Sequence, residues 1–364
     1  MSVRVPFNDL HLLEESDAVR QGVARVIDRA WFVLGPEVEA FEQEFAAASG
    51  APHAIGVGNG TDAIALCLRA LGIGPGDEVI TTPLSAAYTA IAIVMAGARP
   101  VFADIDPERL TLDPRAAEMA ITAHTAALLP VHLYGQPADT AAFADIAGRK
   151  GLALVEDCCQ AHLATCAGQP VGTFGAAGAF SFYPTKNLGA LGDGGAVITR
   201  DPSLAARIAR LRNGGQADRY RHVEMGINSR LDEMQAAILR SRLPYLRRRT
   251  EERRARARQY RSLLAGAGVT VPPEIDAGHV YHLFPIRTQS RKALQDRLSA
   301  SGIETLVHYP TPIFQQPAFA EPEPPECPQA VRAANELLSL PLYPGLSPDA
   351  VATVAAAVRK ESST

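Results

Sequence analysis

Short β-branched or apolar runs alternate with longer segments of helical periodicity through the first two-thirds of the chain. His53–Val57 reads as a strand and Thr61–Leu71 as a helix; Glu78–Thr82 reads as a strand, Ala86–Ala96 as a helix and Pro100–Asp104 as a strand. Pro114–Ile121 is helical, Ala126–Val131 a strand, Asp139–Lys150 a helix and Leu152–Glu156 a further strand. This β-α alternation predicts a mainly parallel sheet covered by helices on both faces.

From Gly178 the rhythm changes. Ala179–Phe182 and Gly195–Thr199 read as strands, and the connection between them, with Asp193-Gly194-Gly195, is too short for a helical crossover. It suits an antiparallel or irregular excursion. A helix over Leu204–Leu211 follows, then one long helical pattern from Leu231 to about Leu264, interrupted by Pro244. Beyond it come a strand (Val280–Thr288), a helix (Arg291–Ser301), a Pro- and Glu-rich surface loop over Gln315–Pro328 and two final helices. The pattern divides the chain into a large α/β domain over 1–240, with an N-terminal helical segment, and a smaller α+β domain over 241–364.

Composition narrows the function. A hydrophobic fraction of 47% and a charged fraction of 20% are those of a globular chain, and the net charge of −4 supplies no basic field for nucleic acid. The arginines at 247, 248, 249, 253, 254, 256 and 258 lack aromatic interleaving and read as a solvated helix face, with Glu251 and Glu252 as local partners. The opening stretch MSVRVPFNDLHLLEES has no signal-peptide core, and no apolar run reaches bilayer length. No membrane association and a cytoplasmic location are therefore expected. Five irregularly spaced cysteines form no disulfide framework. Cys158, Cys159, His162 and Cys166 are close in sequence, but adjacent cysteines do not match structural zinc spacing, so no metal is expected.

Three features fall where strands end, the place ligands collect in open α/β sheets. Gly58-Asn59-Gly60-Thr61-Asp62 joins a strand to a helix: its N–H groups can point at an anion, or it can be a glycine turn with Thr61 or Asp62 as the cap. Glu156-Asp157 closes an apolar strand and can face a ligand or serve as a structural ion pair; Gln160 lies on the same side if a helical turn follows. Ser181-Phe182-Tyr183-Pro184-Thr185-Lys186-Asn187 sets a lysine among Gly-rich segments, as a covalent nucleophile would be. Pyridoxal phosphate needs an amine, a carboxylate for its ring nitrogen and a phosphate cradle; Lys186, Asp157 and the Gly60-Thr61 turn provide one each.

With these motifs the chain resembles the DegT/DnrJ/EryC/StrS sugar aminotransferases, which have the fold-type-I, aspartate-aminotransferase-like architecture. WFVLGPEVEAFEQEF, GNGTDAI, GIGPGDEVI, AGARPVF, PVHLYGQPADT, EDCCQAH, SFYPTKNLGALGDGGA and GINSRLDEMQAAIL occur in the family's order over nearly the whole chain. The resemblance implies that Lys186 binds the cofactor and shuttles protons, that Asp157 meets the pyridine nitrogen and that Gln160 meets the 3′-oxygen. Gly60, Thr61 and Ser181 would hold the phosphate. Asn228 would reach the partner subunit's phosphate, which implies a homodimer with a shared active site.

Cys159 and Leu163 depart from the family's EDxAQAxG, where alanine and glycine are usual, and local packing changes are expected there. LSAAYT replaces a phrase that usually carries the ring-stacking aromatic; Tyr88 is the candidate for that stack. Relatives that act as dehydratases carry histidine in place of Lys186.

GIETLVHYP, at 302–310, and Tyr183 are similar to the branch that aminates C3 of dTDP-linked 3-keto-6-deoxyhexoses, with Tyr183 and His308 near the hexose. Phe314 departs from that branch, which often has a second histidine there. The implied reaction is a ping-pong transfer from L-glutamate, through the pyridoxamine form, to a nucleotide-linked keto-sugar in deoxyamino-sugar biosynthesis. A C4-aminating nucleotide-sugar enzyme, an aminocyclitol aminotransferase and a non-enzymatic pyridoxal-phosphate-binding regulator are the alternatives.

Overall fold

The computed structural model describes residues 4–359; positions 1–3 and 360–364, the outermost parts of the two expected domains, lie outside that range. Helices α1 (Ser16–Arg29) and α2 (Pro36–Ser49) lead to β1 (His53–Val57) and α3 (Gly60–Ala70). The alternation continues through β2 (Glu78–Thr81), α4 (Tyr88–Ala96), β3 (Arg99–Phe102), α5 (Pro114–Met119), β4 (Thr125–Leu129), α6 (Thr140–Lys150) and β5 (Ala153–Asp157). A two-residue-strand hairpin, β6 (Thr165–Cys166) with β7 (Gln169–Pro170), precedes β8 (Ala177–Ser181), β9 (Gly195–Thr199) and α7 (Pro202–Leu211).

Seven strands form one sheet in the order β1-β9-β8-β5-β4-β2-β3. The β5, β8, β4, β2 and β3 pairings are parallel, whereas β9 runs antiparallel to both β8 and β1. The short glycine-rich connection after Ser181 therefore makes the excursion its length predicts. Helix α3 packs its apolar side against this sheet in a core that includes Leu66, Leu68, Val79, Leu129, Val155 and Val197.

Local chemistry fixes the helix ends. Asn59, not Thr61 or Asp62, caps α3: its side chain accepts from the Asp62 N–H at 2.8 Å. Helix α2 begins at Gly35-Pro36, and the buried Glu233 carboxylate takes the place of a side-chain cap by accepting from the N–H groups of Gly35, Glu37 and Val38. Gly50 ends α2 with φ +70°, a conformation that glycine adopts without a Cβ penalty.

Beyond β10 (Gln216–Asp218) and β11 (Arg221–His222), the long helical pattern divides at Pro244. Helix α8 (Glu233–Arg242), a 3₁₀ turn at Leu243–Tyr245 and α9 (Leu246–Leu264) replace one helix, because proline removes a helical donor. The strand expected over Val280–Thr288 is confined to β12 (Phe284–Arg287), since Tyr281 takes φ +47°. After α10 (Arg291–Ala300), its partner β13 (Leu337–Leu340) stands between α11 (Pro328–Glu336) and α12 (Pro348–Arg359), where the sequence pattern predicts helices alone. A second core joins Tyr260, Phe284, Leu294, Leu298, Leu340 and Val354.

The arginine run departs from a solvated face. Arg248 and Arg254 do pair with Glu252 and Glu251, but Arg249 and Arg253 are buried. Arg249 pairs with buried Glu15 at 2.5 Å, and Arg253 donates to the carbonyl of Leu342 at 2.7 Å. The charge on these two is spent on holding the chain together. No helix among the described residues is long and apolar enough to cross a membrane.

Candidate active site

Neighbouring strands β5 and β8 end at Asp157 and Ser181, and α3 begins beside them at Gly60. The approach is close: a Cβ on Gly60 would lie 2.7 Å from Ser181 Cβ and 2.8 Å from Cys159 Sγ. Only glycine fits without displacing the strand end, and the helix N-terminus is brought against the Ser181 side chain. Thr61, half-buried, is the next residue of α3. Gly195 is equally constrained, since a Cβ there would lie 2.5 Å from the Asn59 carbonyl.

Asp157 is buried and held by two donors. Thr89 Oγ1 donates to its Oδ2 at 2.8 Å, and the Cys159 N–H donates to its Oδ1 at 3.1 Å. Ser85 Oγ lies 3.2 Å from Thr89 Oγ1 and extends the chain of hydroxyls. Gln160, buried beside it, has its amide orientation set from both ends. Its Oε1 accepts from the Tyr134 N–H at 2.7 Å, so its Nε2 is the donor to the Tyr309 hydroxyl at 3.1 Å. A second Nε2 proton remains for a ligand.

Lys186 follows β8 in a turn closed by its N–H on the Tyr183 carbonyl at 2.8 Å. The next residue anchors the turn: Asn187 Nδ2 donates to the Val280 carbonyl at 3.0 Å, and its Oδ1 lies 3.2 Å from His282 Nδ1. Burial lowers the Lys186 ammonium from its ordinary pKa, while Cys159 and Asp157 act in the opposite direction. A lysine so placed releases its proton more readily than a surface one.

The remaining sequence candidates lie at different depths. His308 stacks on Phe7, with ring centroids 5.6 Å apart, and its Nδ1 lies 3.0 Å from Ser339 Oγ; burial and then Lys186 push it down to about 4. Tyr183 and Tyr88 are exposed, Tyr88 as the first residue of α4 and next to Thr89. Asn228 is exposed in the segment that bridges to Asn213, and its neighbour Ser229 is buried on Gly58 and Asp62. Sequence reasoning missed Thr89, Tyr134 and Tyr309. Thr89 directly follows Tyr88, Tyr309 directly follows His308 and Tyr134 lies within PVHLYGQPADT, so the motifs hold all three without marking their roles.

Glu156 is structural: its carboxylate accepts from the N–H groups of Gly172, Phe174 and Gly175 and lies 3.2 Å from His132 Nε2. His132, Glu156 and Cys158 are close enough together to suggest a metal ligand set. However, His132 Nδ1 accepts from the Ala138 N–H, which leaves Nε2 as the protonated donor to Glu156. Leu163 takes φ +60°, which accounts for the glycine usual at this place in the family.

The donor set fits pyridoxal phosphate. An amine, a buried carboxylate held by two donors, an amide with a spare proton and a helix N-terminus whose glycine lies against Ser181 match the aldehyde, ring nitrogen, 3′-oxygen and phosphate of that molecule. Comparison with known proteins agrees. The DegT/DnrJ/EryC1/StrS aminotransferase family model matches residues 14–359. A dTDP-3-amino-3,4,6-trideoxy-alpha-D-glucose transaminase from Streptomyces venezuelae is 48% identical over 98% of this chain and 96% of its own. A relative from Geobacillus stearothermophilus, named a pleiotropic regulatory protein, is 47% identical over 94% of this chain and 95% of its own. The crystal structure of S. venezuelae DesV in complex with a ketimine intermediate superposes with a TM-score of 0.96 at 47% identity, covering 100% of both chains.

Proposed function

Because the chain belongs to the DegT/DnrJ/EryC1/StrS aminotransferase family, it is a pyridoxal-phosphate-dependent aminotransferase, and we propose that it aminates C3 of a dTDP-linked 3-keto-6-deoxyhexose with L-glutamate as donor. The observation that carries the acceptor is the near-full-length relationship to the S. venezuelae transaminase, whose name specifies a 3-amino dTDP-sugar.

Bound pyridoxal phosphate supplies an aldehyde carbon that accepts an amino group and a protonated ring that draws off electrons. Lys186 would attach to it through Nζ and carry a proton between the donor's α-carbon and the cofactor. Its lowered pKa favours the free amine needed for that work. Asp157 would hold the proton on the ring nitrogen, with Thr89 and the Cys159 N–H keeping the carboxylate in place. Gln160 would direct its spare Nε2 proton at the 3′-oxygen. Gly60, Thr61 and Ser181 would fix the phosphate, and Asn228 would reach the partner's. Tyr88 would cover the ring, and Tyr183 and His308 would border the hexose.

A homodimer with a shared site and a cytoplasmic location belong to the same reading. Trp31 and Phe32, about half exposed, and the exposed Asn228 support the dimer. The separate core around Tyr260 and Phe284 supports a small domain over 241–364 beside the large one over 1–240.

Steady-state rates with paired acceptors test the proposal. The 3-keto dTDP-sugar should exceed 4-keto dTDP-sugars and inososes by about tenfold or more in kcat/KM. A preference for either of the others would move the assignment to C4 or to aminocyclitols. The name of the Geobacillus relative favours one further reading, a regulator that binds the cofactor without turning over. A stable glutamate-insensitive spectrum would support it.

A further inference from the structure

The turn that carries Lys186 is held from the side by a buried histidine with no part in the reaction described above. Asn187 presents both ends of its side-chain amide to one segment, the three residues from Val280 to His282 that precede β12. Its Nδ2 donates to the Val280 carbonyl at 3.0 Å, which makes Oδ1 the acceptor that faces His282 Nδ1 at 3.2 Å. The imidazole proton therefore sits on Nδ1, and Nε2 carries the lone pair. The backbone of this segment is itself fixed on two sides. Buried Arg253 donates to the carbonyls of Tyr281 at 3.3 Å and His282 at 3.4 Å, and reaches Leu342 at 2.7 Å. The Val280 N–H donates to the Gly135 carbonyl at 3.0 Å, and the Leu283 N–H to the Tyr134 carbonyl at 3.3 Å. A segment so gripped gives the Asn187 amide a rigid reference, and Lys186 is the residue directly before that amide.

We propose that His282 is a positioning residue for Lys186: its Nδ1–H, acting through Asn187 Oδ1, fixes the turn from which the lysine reaches the cofactor. The inference rests on the placement of the cofactor at Lys186. Burial, and then the charge of Lys186, hold His282 well below its ordinary pKa; Arg253, His308 and His162 are the other groups that act on the ring. The imidazole is therefore neutral at pH 7. It steadies the lysine without placing a second positive charge beside it.

Three substitutions in the full-length, cofactor-loaded protein test this, because the two ring nitrogens have different mimics. The amide nitrogen of asparagine falls where Nδ1 stands, and that of glutamine where Nε2 stands. His282→Leu should lower kcat about tenfold with little change in KM, as expected when a reacting group is misplaced, not when substrate contacts are lost. It should also displace the pH midpoint of the bound cofactor's absorbance by about half a unit or more. His282→Asn should restore both properties to within about twofold of wild type, and His282→Gln should restore neither. In an Asn187→Ala background, His282→Leu should cost less than about twofold further, since the two residues act as one unit. Rescue by glutamine in place of asparagine, an unmoved midpoint in His282→Leu, or additive losses in the double variant would overturn the proposal. The contrast between His282→Asn and His282→Gln decides the matter even where His282→Leu does not fold. A wild-type protein that forms no cofactor band would instead sink the Lys186 assignment, and this inference with it.

Discussion

Gln160 and Tyr309, 149 positions apart, meet side chain to side chain: Gln160 Nε2 donates to the Tyr309 hydroxyl at 3.1 Å. Tyr134 strengthens the same junction, giving its N–H to Gln160 and its hydroxyl to the His308 carbonyl. The segment expected to border the sugar is thereby fastened to the residue expected to hold the cofactor's 3′-oxygen. Tyr309→Phe should release one end of Gln160. The loss of one net hydrogen bond, about 1 kcal/mol, corresponds to roughly a fivefold fall in kcat/KM. It should also shift the pH midpoint of the bound cofactor's absorbance. An unmoved spectrum would show that Tyr309 acts only in packing.

Thr89 is the second positioning residue. Thr89→Val removes a hydroxyl donor to the buried Asp157 carboxylate, an interaction of about 1.5–3 kcal/mol, so kcat should fall roughly ten- to a hundredfold. Thr89→Ser should recover most of the rate. Failure of serine to rescue would point to the lost methyl group instead of the hydroxyl.

Lys186→Ala should abolish turnover while the circular dichroism and melting temperature stay near wild type. Full activity in this variant would remove the basis of the mechanism.

Stability should fall on the acid side in a defined window. Burial pushes His162, packed near Phe180 and Phe182, and His279, stacked on Tyr281, down to about 3. The unfolded chain takes up a proton on each below about 6.5, whereas the folded chain does not until near 3. Their contribution is thus complete above pH 6.5 and is lost as pH falls towards 3, at up to about 1.4 kcal/mol per pH unit for each histidine. Urea unfolding at pH 7, 6 and 5 measures this slope, and His162→Phe should flatten it by one proton. An identical slope in the variant would contradict the assignment.

Glu156→Ala should destabilise without touching the chemistry. It strands three backbone N–H groups, and the cost should be about 3 kcal/mol or more by denaturant titration. A change below about 1 kcal/mol would mean that water replaces the carboxylate, the net value of a single exchanged hydrogen bond being of that size.

The alternation of strands and helices through residue 157 was legible because each strand is a short apolar run set between breakers. What the pattern concealed depended on contacts distant in sequence. Nothing around Leu337–Leu340 separates a buried strand from a helix end until Phe284–Arg287 pairs with it. Arg249 and Arg253 read as surface charges because their partners, Glu15 and the Leu342 carbonyl, lie far away along the chain. In the candidate site, Lys186, Asp157 and Gly60 are proposed from strand-end positions and residue chemistry. Thr89 and Tyr309 are not, since a threonine in the first turn of a helix and a tyrosine before a proline have common structural roles. Only the fold brings their hydroxyls to Asp157 and Gln160.

The most direct test of the central claim is a single half-reaction. Protein converted to its pyridoxamine form is mixed with a dTDP-3-keto-6-deoxyhexose, and the absorbance is followed without glutamate. Return of the lysine-bound pyridoxal band, with one equivalent of 3-amino sugar formed, is the expected result. A pyridoxamine form that stays unchanged with this sugar but reverts with a 4-keto sugar or an inosose would contradict it.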